Sequence, residues 1–263
     1  MDKPPIFIIG CPRSGTTLTR VILDSHPNIC CGPETHLFKN IKIFKEKIFN
    51  YWKMLMPYGV DEVSFNSQLK EVFSIFPNNY MKIKNKKRWA EKTPDNIFLV
   101  DFIDDLYPNC QFINIIRDGR DVVSSYKKRW GRITIFKAIK AWNKSMDLTC
   151  SFHSKFDSSR YLEIRYEDLV LHPVEQTKKI MDFLGEKWTS SLVEHHKSKH
   201  DFWYNLDKVS DEDVKKENKE ILGSPNKPIF DSSIGIWKKK LNIFEKVLVN
   251  IALKNNLIKF GYK

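Results

Sequence analysis

Ile6-Phe7-Ile8-Ile9-Gly10-Cys11-Pro12-Arg13-Ser14-Gly15-Thr16-Thr17 reads as a buried strand, a loop bounded by two glycines, and the opening of a helix. A continuous apolar run without alternation suits a strand covered on both faces, as in a parallel sheet. From Thr16 to Ser25 the spacing places Leu18, Val21 and Ile22 on one helical face, and Pro27 stops the helix after His26. A loop in this position aims several backbone N–H groups at one point. The helix N-terminus adds partial positive charge, so a phosphate is the natural occupant.

The glycine spacing is that of the G-x-x-x-x-G-K-[ST] phosphate loop, with Thr16 where the lysine would stand. A threonine can neither reach nor neutralise the outer phosphates of a nucleoside triphosphate. Arg13, inside the loop, restores one positive charge closer to the phosphate that the loop itself would hold.

Further along, Trp89-Ala90-Glu91-Lys92-Thr93-Pro94 predicts a short strand into a turn, with a helix from Asp95 to Tyr107. Gln111–Ile116 and Tyr161–Tyr166 predict two more strands. Helices are expected over Asp121–Lys128 and Thr134–Phe156, after Pro173, and from Leu241 to Leu257. Strands alternating with helical patterns imply an α/β fold: a P-loop-like parallel sheet flanked by helices on both faces, in a single domain over residues 1–263. The region 37–80 is rich in aromatic residues at helical spacing and predicts two helices, with Gly59 and Pro77-Asn78-Asn79 as breaks. The polar stretch 208–228 is expected to be a flexible surface loop.

The 263 residues include 44 Lys and Arg against 32 Asp and Glu, a net charge of +12, with 41% hydrophobic residues and five cysteines. So large an apolar share excludes a disordered chain. An odd cysteine number with no C-x-x-C spacing suggests neither a disulfide framework nor a thiolate metal site. No run approaches the roughly 18 apolar residues of a membrane span, and the first residues lack a signal-peptide pattern, so a soluble, cytoplasmic protein is expected. Most lysines lie in mixed runs that read as solvated faces.

Pro12-Arg13-Ser14-Gly15-Thr16-Thr17 resembles the 5′-phosphosulfate loop of the sulfotransferases that use 3′-phosphoadenylyl sulfate (PAPS). Arg117-Asp118-Gly119-Arg120-Asp121-Val122-Val123-Ser124-Ser125 resembles their R-D-x-R-D-x-x-x-S segment. The resemblance is to the bacterial and tyrosylprotein branches in particular, and it implies that Arg117 and Ser125 hold the 3′-phosphate. That role also has a physical basis, because an arginine leaving a strand end and a serine one turn into the next helix can converge on one phosphate. The alternative for Arg117 and Arg120 is pairing with Asp118 and Asp121 in a surface turn.

Arg165-Tyr166-Glu167-Asp168-Leu169 is similar to the family's [RF]-Y-E-D-L stretch, which would put Tyr166 by the adenine, with Glu167 and Asp168 in structural roles. Ser232-Ser233-Ile234-Gly235-Ile236-Trp237-Lys238 is similar to its late G-x-W segment, implying a cofactor role for Ser233 or Lys238. Glu34, in Pro33-Glu34-Thr35-His36, resembles the family's glutamate base, and Lys92, before Thr93-Pro94, its K-[TD]-P lysine. Otherwise Glu34 is a carboxylate at the N-terminus of the following helix.

The resemblance therefore implies in-line transfer of the sulfuryl group of PAPS to a hydroxyl or amine acceptor. The roles it implies are Glu34 as general base, Arg13 and Lys92 as charge stabilisers, adenosine 3′,5′-bisphosphate as the product, and no metal. The acceptor would be a small molecule or a peptide, met on the side of a helical insertion at 37–80, and a homodimer stays open. A P-loop kinase or GTPase would need the missing loop lysine and a Mg²⁺-binding aspartate. A nucleic-acid-binding protein would use the charge together with exposed aromatics, and no nucleic-acid partner is expected because the aromatics here are spaced as helix cores.

Overall fold

The computed structural model describes residues 3–201 and 227–262. Residues 208–226 of the expected loop lie outside the described residues. Five strands, β1 (Ile6–Ile9), β2 (Ile29–Cys31), β3 (Arg88–Lys92), β4 (Gln111–Ile116) and β5 (Tyr161–Arg165), form one sheet in the order β2-β3-β1-β4-β5. Every neighbouring pair is parallel.

Twelve helices are labelled among the described residues. The first half holds α1 (Thr16–Asp24), α2 (Leu37–Phe49), α3 (Trp52–Leu55), α4 (Glu62–Phe73), α5 (Ile75–Lys84) and α6 (Val100–Leu106). The second half holds α7 (Gly119–Trp130), α8 (Ile135–Lys155), α9 (Tyr166–Leu171), α10 (Pro173–Leu184), α11 (Trp237–Lys240) and α12 (Ile243–Lys259).

The period-two geometry of β1 divides the core between the two sheet faces. Phe7 and Ile9 join Phe38 of α2, Phe112 of β4 and Phe152 of α8. Ile6 and Ile8 join Ile22 of α1, Ile113 of β4 and Ile180 of α10. A third apolar cluster lies among α7, α8 and α12, around Val123, Trp142, Val249 and Leu253.

The expected four strands and the helices between them are present, and three local readings change. β2 was not anticipated: it has three residues, too few to display a period. The region 37–80 holds four α-helices rather than two, and Pro77 lies in the first turn of α5 instead of breaking it. An amide in that turn has no intrahelical acceptor, so proline costs no hydrogen bond there. The helix expected from Asp95 begins as a 3₁₀ turn over Pro94–Leu99 before α6. No helix among the described residues is long and apolar enough to cross a membrane.

From β1 the chain runs outward through α1 to β2 on one side, and later through β4 to β5 on the other. The loop after β1 therefore lies at the reversal of strand order, where open parallel sheets leave a crevice at their carboxyl ends.

Candidate active site

The loop between β1 and α1 is held open by two glycines. A Cβ on Gly10 (φ +150) would lie 2.5 Å from the Ile115 carbonyl oxygen, and one on Gly15 (φ +108) 2.3 Å from the Tyr166 ring. Between them Arg13 itself adopts a left-handed conformation, φ 74, which costs a non-glycine residue energy and is found mostly at turns and functional sites. Ser14 folds beneath the loop. Its N–H donates to the Cys11 carbonyl at 3.0 Å, and its buried hydroxyl has no hydrogen-bond partner. Of the loop residues expected to bind, Pro12, Arg13, Gly15, Thr16 and Thr17 line the cavity above; Ser14 does not, because its side chain points under the turn.

That cavity encloses about 810 Å³, and among the described residues its wall carries seven basic side chains (Arg13, Arg20, Lys92, Arg117, Lys128, Arg129, Lys240) against one carboxylate, Glu34. An interior this unbalanced suits a ligand with several negative charges. The register sets Lys92 beside Ile8, at the carboxyl end of β3. From there its Nζ donates to the Thr17 hydroxyl at 3.2 Å and to Glu34 Oε1. Burial pushes the Lys92 pKa down, and the attraction of Glu34 opposes this.

Glu34 stands on the turn after β2, three residues before α2 begins, with no acidic residue in the first turn of that helix. The structure therefore places Glu34 on Lys92 and not at the helix terminus. Below it Glu91, almost fully buried, accepts from Thr93 Oγ1 at 2.7 Å, from Thr35 Oγ1 at 3.4 Å and from Asn96 Nδ2. These bonds tie the turn carrying Glu34 to the strand end carrying Lys92. Burial pushes the Glu91 carboxyl up to about 7.

Arg117 leaves the end of β4 with its guanidinium 4.2 Å over the Tyr166 ring. Its Nη1 donates to the Arg13 carbonyl at 3.2 Å and its Nη2 to the Ser233 carbonyl at 2.7 Å, while Nε is buried without a hydrogen-bond partner. Arg13 Nε donates to Ser125 Oγ at 2.9 Å, and Tyr166 and Ser233 share a hydroxyl contact at 3.1 Å. Arg13, Arg117, Ser125, Tyr166 and Ser233 thus converge. Although solvent reaches its side chain, Arg13 is held below its ordinary pKa by desolvation and then by the charges of Arg129 and Arg117.

Pairing with Asp118 holds for Arg120 alone, and that pair is buried rather than in a surface turn. Its Nε and Nη2 grip Asp118 at 3.0 and 2.7 Å, whereas Arg117 takes no carboxylate among the described residues. Asp121 accepts the Gly235 and Trp237 amides at 2.8 and 2.9 Å, fastening the Ser233 segment to α7. Glu167 accepts the Asp118 amide at 3.0 Å, a structural role.

Lys238 is not at the cavity: its Nζ lies 5.9 Å over the Trp237 ring, and Lys240 lines the wall instead. Two residues on a helix are separated by about 200° of rotation, so the two lysines face opposite ways. Sequence reading also missed Arg20, Lys128 and Arg129. The last two follow Ser125 at i+3 and i+4, and that spacing alone puts them on the serine's face.

A sequence profile of the sulfotransferase family matches residues 4–190. Protein-tyrosine sulfotransferase A of Caenorhabditis elegans is 31% identical over 232 residues, covering 84% of this chain and 60% of that protein. The chain spans 40% and 54% of the length of the similar Drosophila melanogaster and Gallus gallus enzymes. Among solved structures, the sulfotransferase domain from the curacin biosynthetic pathway has a TM-score of 0.71 at 20% identity, covering 99% of this chain and 98% of that one. Mouse sulfotransferase SULT7A1, complexed with PAP, has a TM-score of 0.50 at 15% identity, covering 97% of this chain and 84% of that one. With a profile matched across most of the sheet and its phosphate loop, the chain belongs to the sulfotransferase family.

Proposed function

We propose that this chain transfers the sulfuryl group of PAPS to a hydroxyl or amine acceptor by in-line displacement. The observation that carries this reading is Lys92, whose Nζ bonds both the loop residue Thr17 and Glu34, setting a carboxylate one side chain away from the phosphate loop.

The cavity fits such a cofactor on its own chemistry. Cations stand at two places on the wall: Lys92 beside Thr17 at the start of α1, and Arg117 at the end of β4, next to Arg13 and the α7 residue Ser125, which are bonded to each other. The unpartnered Arg117 Nε and the Tyr166 ring beneath that guanidinium suit a second phosphate and a planar base. When bound, PAPS supplies a sulfonate on a good leaving group. Arg13, Lys92 and the loop amides stabilise negative charge at the 5′ end, where losing one such donor typically costs roughly 10² to 10³ in rate. Glu34 accepts the acceptor proton at its carboxylate. Arg117 and Ser125 fix the far end of the nucleotide.

The names of the relatives make a tyrosine-bearing peptide the first acceptor to try, with small hydroxyl compounds beside it. His36 stands where the resemblance gives the tyrosylprotein branch an arginine, which weighs against a peptide acceptor.

A mass-spectrometric screen of acceptors with PAPS tests the activity, and thermal shift tests the cofactor. Adenosine 3′,5′-bisphosphate stabilises the fold strongly and ATP weakly, because two phosphates meet two separate cationic sites. Equal shifts, or a larger one with ATP and Mg²⁺, point to the kinase reading. Arg117→Ala removes the preference for a 3′-phosphorylated nucleotide; unchanged preference makes Arg117 structural.

A further inference from the structure

The helix α12 is apolar on two opposite faces, and among the described residues only one is covered. Val249, Leu253 and Leu257 pack against α7 and α8. Ile243, Val247, Ile251 and Ile258 recur at helical spacing on the other side, beside Phe244, with Phe244 82% and Ile251 71% exposed. A helix apolar all round is normally buried all round.

The exposed face continues onto the neighbouring turn. Glu245, at the start of α12, is held by Arg132 at 3.1 Å and by Lys127 at 2.7 Å. These ion pairs tie the segment carrying Ile133, 90% exposed, and Phe136 to the first turn of α12. Scattered single apolar side chains on a surface need no explanation, but a contiguous group this large marks an interaction site.

The charge around it is predominantly basic, with Asp147, which accepts from Asn256 Nδ2 at 3.2 Å, the acidic side chain on the α8 side. From Val122 to Met146 there are seven basic residues and no acidic one; from Ser232 to Tyr262 there are six basic residues and only Glu245. That carboxylate is already paired. Pairing with a second copy across a two-fold axis would set this basic face against itself, which is electrostatically opposed. The apolar residues also stand on a convex helix and not in a groove shaped for a peptide.

We propose that this face, formed by α12 and the turn from Ile133 to Phe136, docks on an anionic lipid surface. Phe244, Ile243 and Ile251 enter the headgroup boundary, and the surrounding lysines meet the lipid charge, as in interfacial helices. Lys128, Trp130 and Lys240 belong to the same two segments and line the cavity.

Flotation of the whole chain with two vesicle preparations tests this: pure phosphatidylcholine, and phosphatidylcholine with about a third phosphatidylglycerol. Binding to the anionic vesicles exceeds that to the neutral ones by about tenfold or more and is lost as salt shortens the screening length. The double variant Phe244→Ser/Ile251→Ser and the separate pair Lys246→Glu/Lys254→Glu each lower anionic-vesicle binding by about tenfold. Both keep adenosine 3′,5′-bisphosphate binding, which shows that they fold and separates this test from that of the cavity. No vesicle binding, or equal binding to the two preparations, overturns the proposal. A dimer in sedimentation velocity that Phe244→Ser/Ile251→Ser makes monomeric assigns the face to a second copy instead. Retained binding by the apolar variant, with full competition by polyglutamate, assigns it to an acidic protein.

Discussion

The two ends of the sheet each carry buried cations and treat them in opposite ways. At the amino end of the strands Arg88, 1% exposed, is surrounded by acceptors. Its Nε donates to the Pro4 carbonyl at 2.9 Å and its Nη1 to the Leu184 carbonyl at 2.6 Å; Nη2 meets Gln111, and Glu186 lies at 3.5 Å. At the carboxyl end Arg117 has two backbone carbonyls and an idle Nε, Lys92 shares the one carboxylate that lines the cavity among the described residues, and Arg13, which solvent reaches, has the Ser125 hydroxyl. A buried charge is tolerable only when its hydrogen-bonding capacity is met. The lower end meets it from within the chain, so its arginine is structural. The upper end leaves capacity over, which is the condition for binding an anion from outside.

The largest effect that would break this contrast is on the rate. Glu34→Gln removes the carboxylate and keeps the shape, and on an acceptor with an unactivated hydroxyl it lowers kcat by about 10² or more. Binding of adenosine 3′,5′-bisphosphate does not weaken, since Lys92 is no longer shared. A normal rate with a lowered Tm would make Glu34 structural, like Arg88. The mirror experiment is Arg88→Met, which leaves the Pro4 and Leu184 carbonyls without this donor, while Glu186 keeps Lys3 at 2.8 Å and Asn28 at 3.2 Å. A loss of about 2 to 4 kcal/mol in unfolding free energy is expected from the acceptors left unsatisfied, with nucleotide affinity of the folded fraction unchanged by isothermal titration.

Glu91 sharpens the contrast, because it is a carboxylate buried at the upper end. Burial holds its pKa at about 7 against an ordinary 4.5. The folded chain therefore binds this proton more tightly than the unfolded chain does, and stability falls as pH rises through that window and levels off above it. The full span corresponds to roughly 3 kcal/mol. Urea unfolding at the two ends of the window measures the slope, and Glu91→Gln flattens it. A slope that survives the substitution lies with other groups.

Sequence alone made the upper end far more legible than the lower. The loop announces itself through Gly10 and Gly15, which occupy backbone conformations that few other residues accept, and Arg117 follows a strand end with Ser125 inside the next helix, both elements readable from apolar periods. Arg88 left no such mark. It lies inside the run from Lys82 to Arg88, which reads as a solvated face, and only the return of Leu184 and Glu186 to the sheet edge buries it. The three residues of β2 were too few for a pattern, and Lys240 was missed for Lys238 because the start of the short helix α11 decides which lysine turns inward. Local conformation was legible in both regions; long-range partners were not.

The smallest effect concerns Ser125, which touches both halves of the cavity. Its hydroxyl accepts from Arg13 Nε at 2.9 Å, yet it stands on α7, the helix that follows Arg117. A hydrogen bond of this kind is worth about 0.5 to 1.5 kcal/mol, or roughly two- to tenfold in affinity. If Ser125 serves the 3′-phosphate, Ser125→Ala weakens adenosine 3′,5′-bisphosphate by that factor and leaves adenosine 5′-monophosphate unchanged. If it serves by steadying Arg13 at the loop, both nucleotides weaken together, because each presents a 5′-phosphate. The first outcome is expected, since an arginine in a left-handed turn between two glycines is already positioned by its own backbone. Titration of both nucleotides against both proteins distinguishes the two, and a parallel loss would move Ser125 from the far phosphate site to the loop.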